Sequence, residues 1–228
     1  MAFYYLLLGH LIGDFVLQTD KIAENKGRRW EWNLLHVLVV TLCIFVFSYS
    51  FGILLLLMAL LNGVIHFIMD YYKNEICRIL HLSELLGFLI DQLIHIILLY
   101  FISLVAIYGN QQLFEVTTTK FLIILALVTY FLAIFTQYVL VALFPGENRR
   151  FFEKGEKIFG ILSRVYATIV FYLSFHLSPF YLLFLIVVAS LFFIQFKHVW
   201  SKWMSPLHLV VKLVLDMSVP ALCILISL

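Results

Sequence analysis

Apolar runs long enough to cross a bilayer recur along this chain, and three of them carry a histidine and an aspartate four residues apart. The pairs are His10/Asp14, His66/Asp70 and Asp91/His95. Residues four apart on an α-helix share a face, so each pair presents an imidazole and a carboxylate together. An ionised residue at the centre of a membrane helix costs about 2.5–3.5 kcal/mol on insertion scales. Three unpaired aspartates would cost roughly 8–10 kcal/mol, as much as the whole stability of a typical domain. A chain that keeps them must compensate them, and a bound metal ion is the simplest means.

Composition settles the broad class. The chain is 64% hydrophobic and 12% charged over 228 residues, more apolar surface than a soluble domain of this size could hide. The expected fold is an all-α integral membrane protein with about eight transmembrane helices. The spans run roughly over Ala2–Gln18, Asn33–Tyr49, Phe51–Tyr72, Glu84–Tyr108, Thr117–Phe144, Lys157–Phe175, Pro179–Phe196 and Pro206–Leu228. The first run has no basic flank and no small-residue cleavage site, and it carries His10 and Asp14; it reads as a retained helix rather than a signal peptide. The net charge of +2 gives no pointer to nucleic acid, and no such partner is expected. Cys43, Cys77 and Cys223 match no metal or redox spacing.

Alternate loops differ in charge. Lys21, Lys26, Arg28 and Arg29 lie in the first, Lys73 and Arg78 in the third, Arg149, Arg150, Lys154 and Lys157 in the fifth, and Lys197 and Lys202 in the seventh. The intervening loops offer only Lys120. The positive-inside rule then puts both termini outside and the odd-numbered loops in the cytoplasm. Trp30, Trp32, Trp200 and Trp203 fall at the cytoplasmic interface, as an aromatic belt would. Residues 144–148 (Phe-Pro-Gly-Glu-Asn) read as a turn. Two halves are expected: residues 1–108, four helices bearing the His/Asp set, and residues 109–228, an accessory membrane half.

Helices one and three run inward and read His then Asp; helix four runs outward and reads Asp then His. Each aspartate therefore lies nearer the cytoplasm and each histidine about 6 Å deeper. His36 sits near the cytoplasmic end of helix two. Four histidines and three aspartates at similar depth suit one or two divalent ions. Zinc is favoured, with manganese or iron accommodated by the same ligands. His10, Asp14, His36, His66, Asp70, Asp91 and His95 are the candidate ligands. Asp14, Asp70 and Asp91 are also the candidate catalytic groups, one of them as general base.

Several blander readings compete: hydrogen-bonded helix packing, a proton or ion path, or haem held by opposed histidines. Gln18, Asn62 and Gln92 read as interhelical hydrogen-bond formers, while Glu24 and Asn25 could fold back over the site. In the second half, Arg164, Lys212 and Asp216 read as an internal salt bridge or, more sharply, as a pocket for an anionic substrate group. His81, His176, His198 and His208 have no paired carboxylate and read as interfacial.

The stretch Leu8-Gly9-His10-Leu11-Ile12-Gly13-Asp14-Phe15-Val16-Leu17-Gln18-Thr19-Asp20, continued by Ala23-Glu24-Asn25-Lys26, resembles the start of a bacterial multi-pass membrane family of unknown function. That family is sometimes encoded beside SatD-type proteins. Leu34-Leu35-His36, His66-Phe67-Ile68-Met69-Asp70 and Asp91-Gln92-Leu93-Ile94-His95 fit the same pattern. The resemblance covers about the first hundred residues. It implies that the seven His/Asp positions are the functional set and that the protein sits in the bacterial cytoplasmic membrane. A looser resemblance is to membrane-bound metal-dependent hydrolases, which also place histidine and acidic ligands at helix ends. The family resemblance implies no activity; the layered His/Asp set gives the expected function: a membrane-embedded metal-dependent hydrolase, its site facing the cytoplasmic leaflet, acting on a lipid or lipid-linked substrate. Membrane lipid is the expected partner, and a homo-oligomer is compatible. A divalent-metal or proton transporter or sensor is the alternative from another class. A structural membrane protein glued by His–Asp pairs is the third.

Overall fold

A computed structural model describes residues 1–107, 112–144, 154–184, 187, 190, 194 and 206–227. Every regular element among the described residues is helical. In chain order they are α1 (Ala2–Leu11), continued by a π turn (Ile12–Val16), α2 (Asp20–Asn25), α3 (Trp30–Ser48), α4 (Ile53–Ile79), α5 (Glu84–Ser103) and α6 (Val116–Ala126). A second π turn (Leu127–Phe131), α7 (Leu132–Leu143), α8 (Lys154–His176), a 3-10 turn (Pro179–Phe184) and α9 (Pro206–Ser227) come after them.

Among the described residues, four helices are long and apolar enough to cross a membrane: Trp30–Phe51, Ile53–Ile79, Glu84–Ser103 and Val116–Leu143. Ala2–Val16 is apolar but shorter. The sixth and eighth expected spans fall on α8 and α9, helices of 23 and 22 residues. The seventh, Pro179–Phe196, is 3-10 helix over Pro179–Phe184, and most of its remainder lies outside the described residues. So do Pro145–Asn148 of the expected turn, the loop residues Arg149, Arg150, Lys197 and Lys202, and Trp200, Trp203 and His198.

The chain divides into two compact units, Met1–Ala126 and Leu127–Leu228. In the first, α1 packs against α3, α5 and α6, α3 against α4, and α4 against α5. The residues left facing out on these helices are large and apolar: Leu38, Leu42 and Val46 on α3, Leu57, Leu61 and Val64 on α4, Leu93, Ile97 and Phe101 on α5. Water would not tolerate such a surface; lipid chains do.

Local chemistry fixes where these helices begin and end. Thr19 Oγ1 accepts the Ile22 N–H at 3.3 Å to cap α2, and Ser83 Oγ accepts the Leu86 N–H at 3.2 Å to cap α5. Gly52 turns the chain from α3 into α4 at φ +92°, where a side chain would be strained. The α4 helix ends with His81 at φ +51° and the Leu82 N–H bonded back to the Cys77 carbonyl, a Schellman-type close.

The α1–α3 crossing is set by Gly9 and Gly13. A Cβ on Gly9 would lie 2.6 Å from Ile44 Cα, and one on Gly13 would lie 2.5 Å from Val40 Cα. Two small residues four apart let membrane helices meet backbone to backbone. They alternate with the polar pair His10 and Asp14, and the crossing brings Asp14 Oδ1 within 2.9 Å of His36 on α3.

One end of the first unit is apolar. Tyr5 and Leu6 from early α1, Val40 and Ile44 from later α3, Phe51, Leu55 and Ala59 around the start of α4, and Leu99 from late α5 form one cluster, each at most 1% exposed. Tyr5 Oη reaches Gln112 Oε1 and the Phe114 carbonyl, each at 2.6 Å. The seven His/Asp positions come from the opposite ends of these same helices.

Candidate metal centre

All seven predicted residues come together in the first unit, and all are buried. His10 lies 5.2 Å from His95 and 5.7 Å from His66, centroid to centroid. His66 stacks on His95 at 4.1 Å and meets His36 edge-on at 5.4 Å. Four imidazoles thus form one contiguous layer.

The carboxylates bind across helices more closely than within them. The pairs four residues apart are long: His10 Nε2 to Asp14 at 3.9 Å, His66 Nε2 to Asp70 at 3.5 Å, His95 Nε2 to Asp91 at 3.4 Å. The short contacts join different elements. His36 Nε2 lies 2.9 Å from Asp14 Oδ1, and Gln92 Nε2 donates to Asp14 Oδ2 at 3.2 Å. His36 also lies 3.4 Å from Asp70.

The π turn explains part of this. The sequence reads as α-helix through Gln18, but the Leu17 N–H bonds to the Ile12 carbonyl, five residues back, at 2.9 Å. The wider turn contains Gly13 and Asp14. It rotates Asp14 off the α-helical register of His10 and toward α3 and α5. Single π turns of this kind are frequent at functional sites.

Two lysines, which the sequence marks only as topology determinants, complete the cluster. Lys26 Nζ lies 3.0 Å from Asp70 Oδ2, 3.6 Å from Asp14 Oδ1 and 3.0 Å from His36 Nε2. Burial pulls its ammonium down, but the carboxylates of Asp70 and Asp14 outweigh that and hold it above its ordinary value, so it stays protonated throughout the physiological range. Lys73 Nζ donates to Asp91 Oδ2 at 2.9 Å and lies 5.7 Å from the centre of the Phe88 ring. The first loop does fold back, though not through Glu24, which is exposed, or Asn25, whose amide donates to the Lys21 carbonyl. Lys26 is the next residue along, and a lysine in a basic loop gives no hint of which way it turns.

Gln92, expected only to bridge helices, joins the centre through Asp14. Asn62 is buried, and Gln18 Oε1 and Asn62 Oδ1 have no hydrogen-bond partner.

The donor set fits a metal ion. Both ring nitrogens of His10, His66 and His95, and Nδ1 of His36, are buried without a hydrogen-bond partner. The carboxylate oxygens facing them at 3.4–3.9 Å are too distant for good bonds. Leaving a buried polar atom unpaired costs about 1–3 kcal/mol, so such a concentration calls for a common partner. Two groups bring one ligand atom from each residue within 4.8 Å of one another: Asp14, His36 and His66, and His66, Asp70 and His95. A tetrahedral ion with ligands at about 2.0–2.2 Å needs donors roughly 3.3–3.6 Å apart, within reach of side-chain rotation. His66 belongs to both groups. His10 and Asp91 stand outside both, His10 against the imidazole layer and Asp91 against Lys73.

The second unit has its own buried ionic group. Arg164 donates from Nη1 to Asp216 Oδ1 at 3.1 Å and from Nη2 to the Thr129 carbonyl at 3.0 Å. Lys212 donates to Asp216 Oδ2 at 2.9 Å. All three side chains are at most 3% exposed. Pro220, inside α9, cannot supply the N–H that the Asp216 carbonyl would otherwise receive. His176 and His81 are exposed as expected for interfacial residues, but His208 is buried, its ring 3.6 Å from that of Phe144. Its position early in α9, on the inward face four residues before Lys212, accounts for the difference.

No curated protein and no solved structure matches the chain. Residues 2–124, which contain all seven His/Asp positions and both lysines, match the family model described as "Protein of unknown function (DUF3307)". Since that match spans more than half of the sequence, the chain belongs to the DUF3307 family.

Proposed function

We propose that the protein is a membrane-embedded metal-dependent hydrolase of the bacterial cytoplasmic membrane. Its His/Asp centre opens toward the cytoplasmic leaflet, and its substrate is a lipid or lipid-linked molecule. The observation that carries this reading is the convergence of unpaired, buried imidazole nitrogens with carboxylates from four elements. Eight spans with both termini outside would put the Lys26 mouth of the centre on the cytoplasmic side, by the charge of the loops.

In this reading His36, His66 and His95 with Asp14 and Asp70 hold one or two divalent ions, zinc first by its preference for such nitrogen and oxygen donors. Such an ion would lower the pKa of a bound water and polarise the bond to be cut. Asp91, outside both ligand groups and held by Lys73, would be the carboxylate left to accept a proton and return it to the leaving group. His10 completes the imidazole layer beside His66 and His95. Gln92 orients Asp14, as carboxylate ligands commonly require.

A transporter would need a polar route to both faces. The apolar cluster around Tyr5, Ile44, Phe51 and Leu99 closes one end of the first unit, which favours a one-sided site. The test is metal content by mass spectrometry on protein purified without added metal, alongside lipid-ester hydrolysis. Wild type should hold one or two ions, with ion and turnover both lost in His66→Ala and Asp70→Ala. Asp91→Asn should keep the ion and lose turnover. Metal-free wild type, with variants that fold normally, would sink the reading.

A further inference from the structure

Lys26 occupies the ground a metal ion would need. Its ammonium touches Asp14 Oδ1, Asp70 Oδ2 and His36 Nε2, residues drawn from both candidate ligand groups. Two cations cannot share those donor atoms. Lys26 and Lys73 are the members of the centre that reach the surface, with side chains 22% and 26% exposed against 7% or less for the histidines and aspartates, and of the two it is Lys26 that contacts Asp14, Asp70 and His36. It hangs from the short segment between α2 and α3, where Gly27 packs against Asn74 of α4.

Charge balance adds a second constraint. With neutral imidazoles, the three carboxylates exceed the ammoniums of Lys26 and Lys73 by one among the described residues. With Lys26 displaced, a single divalent ion and Lys73 balance the three carboxylates, and the Lys26 ammonium is left as the unpaired charge beside them. An ammonium left unpaired beside apolar helices calls for an anion.

We infer that Lys26 is a tethered counter-ion which a divalent cation displaces, and that the displaced ammonium then binds a phosphoryl group of the substrate at the mouth. This rests on the metal-centre reading above and adds a substrate class to it. Lysine suits the task as a mobile point charge on a flexible stem, the form in which it commonly meets phosphate. Before metal arrives the same ammonium holds Asp14 and Asp70 together; afterwards it faces solvent with its charge unpaired.

The test is a Mn²⁺ titration, read by the electron paramagnetic resonance of the free ion, on wild type, Lys26→Met and Lys26→Arg. It is joined by labelling of wild-type lysines with a water-soluble amine reagent, with and without Mn²⁺. A tethered competitor that holds the donors nine-tenths of the time weakens apparent affinity about tenfold, so Lys26→Met should bind Mn²⁺ tighter by that factor while Lys26→Arg stays near wild type. Labelling at Lys26 should speed up when Mn²⁺ is added, a readout that needs no variant to fold. Mn²⁺-loaded wild type should bind inorganic phosphate or phosphatidate in mixed micelles, and Lys26→Met should not. Preference for phosphatidate assigns a lipid head group; equal binding assigns soluble phosphate. Equal Mn²⁺ affinity in wild type and Lys26→Met, or unchanged labelling, overturns this inference and leaves the metal centre standing. Binding of Mn²⁺ by none of the proteins overturns both. Failure of the loaded wild type to bind either phosphate probe overturns the substrate class.

Discussion

Replacing Gly13 by alanine tests whether the α1–α3 crossing positions the centre. The new Cβ would lie 2.5 Å from Val40 Cα and 3.2 Å from Val40 Cβ and Cγ2. Carbon atoms rest at about 3.5–4.0 Å, so α1 must retreat from α3 by about 1 Å. Overpacking of this kind costs about 1–3 kcal/mol. The same retreat stretches the 2.9 Å contact between His36 and Asp14 past hydrogen-bond range. Losing a hydrogen bond to a charged group adds about 1.5–3 kcal/mol. The variant should therefore unfold more easily by roughly 2.5–6 kcal/mol, measured by denaturant titration in detergent micelles with tryptophan fluorescence, and bind metal more weakly. Truncating Val40 cannot rescue it, because the closest clash is with backbone; Gly13→Ala/Val40→Ala should be no more stable than Gly13→Ala. A Gly13→Ala protein within about 0.5 kcal/mol of wild type, or one restored by Val40→Ala, would refute the reasoning.

The buried networks carry two further expectations. Gln92→Leu removes the amide that holds Asp14 Oδ2 at 3.2 Å; it should cost about 1.5–3 kcal/mol in unfolding experiments and weaken metal binding without abolishing it. In the second unit, Asp216→Asn strands the buried cations Arg164 and Lys212 and should cost about 3–5 kcal/mol, whereas the triple replacement Arg164→Met/Lys212→Met/Asp216→Leu should recover most of that loss in the same assay.

Much of the centre is legible in the sequence because periodicity alone puts residues four apart on one face. Periodicity marks His10, Asp14, His66, Asp70, Asp91 and His95, and depth in the membrane adds His36. The pairing is another matter. An α-helical register makes His10 and Asp14 partners, but the π turn at Ile12–Val16 hands Asp14 to His36 and Gln92, and a π turn has no periodic signature. Lys26 looks like a loop charge because the positive-inside rule asks only which side a residue lies on. Gly9 and Gly13 fix the helix crossing without any polarity to mark them. Of the eight spans drawn from hydropathy, the second to fifth are the ones whose described helices are long and apolar enough to cross. The first is shortened by its π turn and the cap at Thr19. The burial of His208 escapes the sequence because a lone histidine near a helix start looks the same whether it faces the interface or the interior.

The sealed apolar end of the first unit has an electrical consequence. A bilayer under voltage is a charged capacitor, and each elementary charge moved across about 100 mV exchanges about 2.3 kcal/mol with the field. Most of that drop falls where the dielectric is lowest, across the layer of Tyr5, Leu6, Ile44, Phe51, Leu55 and Leu99. Charges can then enter and leave the nest at the other end of the helices while crossing little of the field. A cell can keep carboxylates and lysines inside its insulating membrane without short-circuiting the battery on which it runs.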